Sequence, residues 1–249
     1  MLPQPRALVR YTILLAVLYI AMLGATAPAS LLTRMLPAQS GVQLGTLSGT
    51  LWQGAIDKAS FPSSLGLVQV HDISWDLQWS YLLRGELALK LESASAVGHL
   101  IVARSWRALR IAHADLALPA TELAQMLPSL MLWEPEGEVQ FQTRDFALHT
   151  AGEALFTWRN SALNLSPLQP LGDYRLNIRA TAEKLELRLD TLQGSLRLAG
   201  LGSYSAPSGL LFQGTAQTDA PHAADLKKLL DTLGQNRGDG VHAFSLALR

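Results

Sequence analysis

Tyr174-Arg-Leu-Asn-Ile-Arg-Ala180 and Lys184-Leu-Glu-Leu-Arg-Leu-Asp190 alternate apolar and polar side chains residue by residue. Successive side chains of a β-strand point to opposite faces, so this period of two gives each strand one dry face and one wet face. Glu86-Leu-Ala-Leu-Lys-Leu-Glu92 and Gly194-Ser-Leu-Arg-Leu-Ala-Gly200 repeat the pattern, and Val241-His-Ala-Phe-Ser-Leu-Ala-Leu-Arg249 carries a weaker form of it. Strands of this kind belong to antiparallel sheets with one packed face and one solvated face. Leu192-Gln-Gly-Ser195 and Ser205-Ala-Pro-Ser-Gly209 supply turn residues at close spacing between them. The fold class is mainly β: antiparallel sheet with one or two short packing helices.

Those helices have their own signature. Leu226, Leu229, Leu230 and Leu233 recur at i, i+3, i+4 and i+7, with Asp219-Ala-Pro221 as cap and early proline and Gly234 as the stop. Thr121 to Leu127 is a shorter candidate, with Leu123, Met126 and Leu127 on one side and Pro128 at its end. Both stripes read as packing faces against a sheet. Pro135-Glu-Gly137 is a possible seam, which divides the β region into two halves at about 34–133 and 134–249.

The amino terminus carries a different signal. No charged residue lies between Arg10 and Arg34, and Tyr11-Thr-Ile-Leu-Leu-Ala-Val-Leu-Tyr-Ile-Ala-Met-Leu-Gly24 is almost wholly apolar. About 20 such residues in one helix cover roughly 30 Å, the thickness of a bilayer core. Residues 11–33 therefore read as a single transmembrane signal-anchor helix. Arg6 and Arg10 put residues 1–10 in the cytoplasm by the positive-inside bias. Residues 34–249 then lie beyond the membrane. A cleaved signal peptide is the competing reading, since Ala25-Thr-Ala27 resembles a small-residue cleavage site. Pro28 follows directly, and its fixed ring fits a scissile bond poorly.

Composition narrows the function. The 249 residues include 20 basic and 20 acidic side chains, 49% hydrophobic and only 16% charged residues, with a mean hydropathy of +0.17. A soluble domain usually carries about 25% charge. Disorder is excluded by this composition, and nucleic acid is an improbable partner because no basic surplus neutralises phosphates. The chain has no cysteine, which removes disulfides, thiolate catalysis and cysteine metal sites. Six histidines, at 71, 99, 113, 149, 222 and 242, form no short-range pair that suggests zinc. There is no Gly-x-Ser-x-Gly elbow and no phosphate loop. Gly200-Leu-Gly202 lacks the third glycine of a dinucleotide fingerprint and reads better as a strand-turn feature. Asp72 and Asp76 read as solvated groups on an alternating strand. The expectation is a protein without catalytic residue, metal or cofactor.

One passage stands apart: Val42-Gln-Leu-Gly-Thr-Leu-Ser-Gly-Thr-Leu-Trp-Gln-Gly-Ala-Ile56. Glycines in a strand permit bulges or close backbone approach, and a tryptophan can cover the gap. Trp75-Asp-Leu-Gln-Trp79 follows. Gly49, Thr50, Leu51, Trp52, Gly54, Trp75 and Trp79 are accordingly the candidate structural or docking motif. They either close the first hairpin of the sheet or present a surface to a membrane partner. If Trp52 is a buried cap, Trp52→Ala lowers stability by about 3–5 kcal/mol.

The order of these features resembles the type II secretion system protein N family of the general secretion pathway in Gram-negative bacteria. The matching pieces are the N-terminal anchor, Leu47-Ser-Gly-Thr-Leu-Trp-Gln-Gly54, Trp75-Asp-Leu-Gln-Trp79 and Leu83-Arg-Gly-Glu-Leu87. Leu196-Arg-Leu-Ala-Gly200 and Leu230-Asp-Thr-Leu-Gly234 follow, then Asp239-Gly240 and a last strand. Gly-Thr-Leu-Trp-x-Gly is the most diagnostic of them. The resemblance implies an inner-membrane, single-pass protein with its bulk in the periplasm. Its partners would be other type II secretion components, and it would assist export of folded proteins across the outer membrane without catalysis. The family also looks like a larger class of tethered β-groove proteins, some of which handle lipids; that likeness implies a curved antiparallel sheet, open like a groove, and makes a lipid-binding trough the alternative.

Overall fold

The computed structural model describes residues 5–35, 41–63, 66–106, 108–147, 150, 152–238 and 240–248. His149 and Asp239 lie outside them. α1 (Pro5–Ala25) and α2 (Leu31–Met35) lead into the short strands β1 (Gln43–Leu44) and β2 (Leu47–Gly49). Then come β3 (Gln53–Ser63), β4 (Gly66–Leu77), α3 (Trp79–Leu82), β5 (Leu87–Ser93), β6 (Val97–Arg104) and β7 (Leu109–Pro119). α4 (Ala120–Met126) and α5 (Pro128–Met131) precede β8 (Glu136–Phe146), β9 (Gly152–Ala162), β10 (Gly172–Ala180) and β11 (Leu185–Gly194). β12 (Leu196–Ser205), β13 (Gly209–Thr218), α6 (Ala223–Leu233), β14 (Gln235–Asn236) and β15 (His242–Leu248) complete the chain.

Among the described residues, fifteen strands form one sheet. Strands β3 to β13 pair in sequence order, β15 adds to β13, and β1 and β14 lie at the two open ends. Every pairing is antiparallel, and β7 pairs with β8 across the seam expected near residue 134. The strands expected from alternation are all present.

The register explains why alternation was so regular. Directly opposed residues share a face, and one row crosses eleven strands. It runs Trp75, Leu91, Leu100, Ala114, Thr143 and Ala154, then Ile178, Leu187, Gly202, Phe212 and Leu246. Thr143 is its one polar member, and its hydroxyl is used up by the Glu153 carbonyl at 2.5 Å. A corresponding row on the other face reads Arg144, Glu153, Arg179 and Glu186. These opposite charges face one another across strands, and Arg179 pairs with Glu153 at 2.8 Å.

All the packing helices sit on the apolar face. Leu226, Leu229 and Leu230 of α6 are buried against Leu171, Leu196 and Ala216, as the leucine stripe predicts. Its start differs from the expected cap. A 3-10 turn, Ala220–His222, leads in, and Asp219 instead pairs with Arg197 at 3.1 Å. α4 packs on β7 and β8 and also reaches β4, although β5 and β6 intervene in the sheet. The sheet therefore curls around its helices without closing. Gly200 and Gly202 lie within β12 rather than at a turn. The Phe212 ring covers the space where their side chains would stand, an arrangement that keeps an aromatic ring flat on a strand.

Among the described residues no helix is long and apolar enough to cross a membrane, so the expected anchor rests on the sequence.

Candidate functional site

Six of the seven residues of the motif meet where α1 joins the sheet. Gly49 and Gln53 bracket the turn between β2 and β3. Gly49 has φ +84°, a left-handed conformation that a side chain would strain, and a Cβ there would also lie 2.5 Å from the Gln53 carbonyl oxygen. The Thr50 hydroxyl sits inside the turn and accepts from the Trp52 and Gln53 amides at 3.3 and 3.1 Å. The Thr50 hydroxyl thus reinforces a turn that its own backbone N–H closes on the Gln53 carbonyl at 2.8 Å.

The turn then clasps the chain leaving α1. Leu51 N–H donates to the Ala27 carbonyl at 2.9 Å, Ala29 N–H donates to the Gly49 carbonyl at 3.0 Å, and Pro28 bridges Thr50. The Trp52 indole Nε1–H donates to the Gly24 carbonyl at 2.7 Å. Carbonyls of the last helical turn have no partner within the helix, and this indole supplies one. From the sheet side, the Trp75 Nε1–H donates to the Leu51 carbonyl at 3.2 Å. Leu77 N–H donates to the Trp52 carbonyl at 2.7 Å. Gly54 stands under the Trp75 ring, and any Cβ there would enter that ring and lie 2.6 Å from the Ser48 carbonyl oxygen.

Behind this clasp is a small core. Ala29 (1% exposed) and Trp75 (7%) pack with Ile56 and Ala59, and Leu32 of α2 and Leu47 close around them. Trp52 itself is only half-buried. The cost expected for a fully buried cap is therefore an upper bound, and the hydrogen bond to Gly24 adds to what the partly buried ring contributes. Trp79 lies outside the core at 64% exposure, with its ring centroid 6.3 Å from that of Trp52. The motif's one side-chain hydroxyl, that of Thr50, is engaged within the turn. What the arrangement can do is fix the angle between α1 and the sheet.

A second feature lies under the helices at the other end of the apolar face. A cavity of about 380 Å³ is lined by Leu123, Trp133, Phe156, Trp158, Tyr174 and Leu198. The Tyr174 hydroxyl donates to the Leu196 carbonyl at 2.9 Å. Burial pushes its phenol well above the usual range, an effect that Asp173 adds to and a Ser161 hydrogen bond reduces. The cavity was not legible in the sequence, because its walls come from four strands and three helices whose placement is set only in the folded sheet.

His99 and His113 also meet across β6 and β7, with ring centroids 5.3 Å apart. Their separation in sequence hid this pair. Among the described residues no group of three His, Asp or Glu is placed to hold a metal ion.

The fold and site define a mainly β protein built on one open meander, in which residues 49–54 and Trp75 tie the chain leaving α1 to the first strands. The chain belongs to the type II secretion system protein N family: the profile described as Type II secretion system (T2SS), protein N matches residues 40–245. Three relatives carry the name Type II secretion system protein N. That of Pectobacterium carotovorum subsp. carotovorum is 25% identical over 240 residues, covering 93% of each chain. That of Vibrio cholerae is 25% identical over 232 residues, covering 88% of this chain and 89% of its own. The Aeromonas hydrophila relative is 26% identical over 246 residues, 91% of this chain and 92% of its own. No solved structure matches this chain.

Proposed function

We propose that this chain is an inner-membrane component of the type II secretion system that assists export of folded proteins through protein contacts rather than catalysis. Family membership across residues 40–245 carries the assignment to that system. For the membrane placement, Tyr11, Leu14, Leu15, Val17, Leu18, Tyr19, Met22 and Leu23 are all exposed on α1. At 3.6 residues per turn these positions, with the exposed Ala16 and Gly24 between them, go round the helix, which suits lipid on all sides. Arg6 and Arg10 before them favour a cytoplasmic N-terminus and a periplasmic sheet.

The edge of the sheet offers a route to a partner. β14 covers only His242 and Ala243 of β15, and among the described residues no strand lies against the outer side of residues 244–248. A strand edge of this kind accepts another strand by backbone hydrogen bonding. The second reading, lipid binding, is favoured by the apolar cavity of about 380 Å³, within the size range of small-molecule sites.

The deciding experiment is the distribution of a secreted reporter enzyme in a strain lacking this chain. Accumulation in the periplasm, reversed by the intact gene, supports the export role. Normal secretion under several growth conditions sinks it and directs attention to lipids extracted with the purified full chain.

A further inference from the structure

Single exposed apolar residues are ordinary on protein surfaces, but a cluster of them at one place marks an interaction site. Such a cluster occupies one end of this sheet. The pairs Gln53 with Asp76, Leu77 with Leu89, Leu87 with Arg104 and Arg104 with Leu109 bring five segments to that end. They are the β2–β3 turn, the end of β4 with α3, the start of β5, the end of β6 and the start of β7. Leu83 is 92% exposed and Trp106 84%, and Trp79, Leu82, Leu87 and Leu109 are exposed beside them.

We infer that this end of the sheet is a second membrane contact, at which α3 and the β6–β7 turn seat their apolar side chains in the interfacial layer of the bilayer that α1 crosses. The inference rests on α1 being the membrane anchor.

Continuity selects the bilayer as the occupant. The cluster begins at the exit of α1 itself: Trp52 donates to the Gly24 carbonyl at 2.7 Å and its ring neighbours that of Trp79 at 6.3 Å. With α1 in the membrane, the clasp holds these side chains at the level where the helix leaves it. Residue types agree with that level, since Trp and Tyr concentrate at the boundary between hydrocarbon and headgroups. Tyr81 lies in α3 under the Arg84 guanidinium, 5.8 Å from the ring centroid, and Arg84 and Arg104 bring positive charge towards lipid phosphates. Arg110, nearby, is held within the protein by Glu86 at 2.7 Å and Asp145 at 2.5 Å.

The rest of the same end has a different character. The β10–β11 turn reads Thr181-Ala-Glu-Lys184 and the β12–β13 turn reads Ser205-Ala-Pro-Ser208. Exposed tryptophans and leucines are densest at the first strands, beside the anchor; further along the turns are polar, and the exposed Tyr204 and Leu211 stand within the strands behind them. The sheet therefore meets the bilayer with its early strands and rises away from it with its later ones.

The chain has no cysteine, so single cysteines can be spin-labelled in the full chain. Leu15→Cys, Leu83→Cys, Leu109→Cys, Val97→Cys and Leu201→Cys are made and reconstituted in nanodiscs of phosphatidylethanolamine and phosphatidylglycerol. Val97 and Leu201 are exposed but lie away from the cluster. The readout is the ratio of accessibility to oxygen, which enriches in lipid, over accessibility to a nickel chelate, which stays in water. The expected result is a ratio above unity at Leu15, Leu83 and Leu109 and below unity at Val97 and Leu201. Lipid exposure at Leu15 with Leu83 and Leu109 as wet as Val97 overturns the second contact and leaves the anchor standing. Leu83 and Leu109 shielded from both reagents indicates a protein partner and also overturns it. A wet Leu15 removes the anchor, and the inference with it. Brominated-lipid quenching of tryptophan gives the same answer without labels: quenching of the unsubstituted chain should drop in a Trp79→Phe, Trp106→Phe variant, and equal quenching refutes the contact.

Discussion

Gly54→Ala puts the clasp to a quantitative test. The added Cβ would enter the Trp75 ring and approach the Ser48 carbonyl oxygen to 2.6 Å. One obstacle is backbone in the paired strand β2 and the other is a side chain of the small core, so neither yields freely. Overpacking of this kind costs about 1–3 kcal/mol. Displacing Trp75 weakens its hydrogen bond to the Leu51 carbonyl, worth about 1 kcal/mol. Alanine recovers part of this, because glycine in a strand is itself unfavourable by about 0.5–1 kcal/mol. The net expectation is a loss of about 2 kcal/mol, which at a urea slope of about 2 kcal/mol/M lowers the unfolding midpoint by about 1 M. The assay is urea unfolding of the full chain in detergent micelles, followed by tryptophan fluorescence. Gly24→Ala is the control: nothing lies within 4 Å of a Cβ at that helical position, so alanine there should leave the midpoint unchanged or raise it by up to about 0.5 M. An unchanged midpoint for Gly54→Ala, with the control unchanged or raised, would refute the close-approach account of this glycine.

Two further outcomes test the other end of the sheet. Leu229 of α6 is fully buried against the sheet, so Leu229→Ala should cost about 2–5 kcal/mol by the same urea assay, whereas Lys227→Ala on the exposed side of the helix should stay within about 0.5 kcal/mol. Tyr174 has a folded pKa raised by burial above its ordinary value of 10.0. The stability linked to its proton is therefore complete below pH 10 and is lost as pH rises from there towards the folded pKa. Tyr174→Phe should lose about 1 kcal/mol at neutral pH, because the Leu196 carbonyl loses its donor, yet show a shallower decline above pH 10. Identical alkaline slopes for the two chains would show that Tyr174 does not titrate with unfolding.

Local pattern made the strands legible and left their consequences hidden. Leu176, Ile178, Leu187 and Leu189 announce a dry face by alternation alone, and the leucine stripe of α6 announces the helix that covers it. What alternation cannot say is which residue of the next strand stands opposite, so the eleven-strand row and the cavity over Tyr174 appear only with the register. The motif from Gly49 to Trp79 was visible as an anomaly of glycine and tryptophan spacing. Its role was not, because the partner of Trp52 is a backbone carbonyl at Gly24, and carbonyls leave no trace in side-chain identity. The predicted cap at Asp219 failed for a similar reason: Arg197, on another strand, claims that carboxylate.

The order of pairing also bears on how the protein comes into being. From β3 to β13 each strand lies against the one synthesised just before it, so no segment waits for a mate from the far end of the chain. Contacts between near neighbours close short loops, which is the cheaper and faster route to a large sheet. A chain that emerges residue by residue meets that condition as it arrives. Each completed hairpin presents the template for the next, and α6 arrives late enough to settle on a surface already laid down.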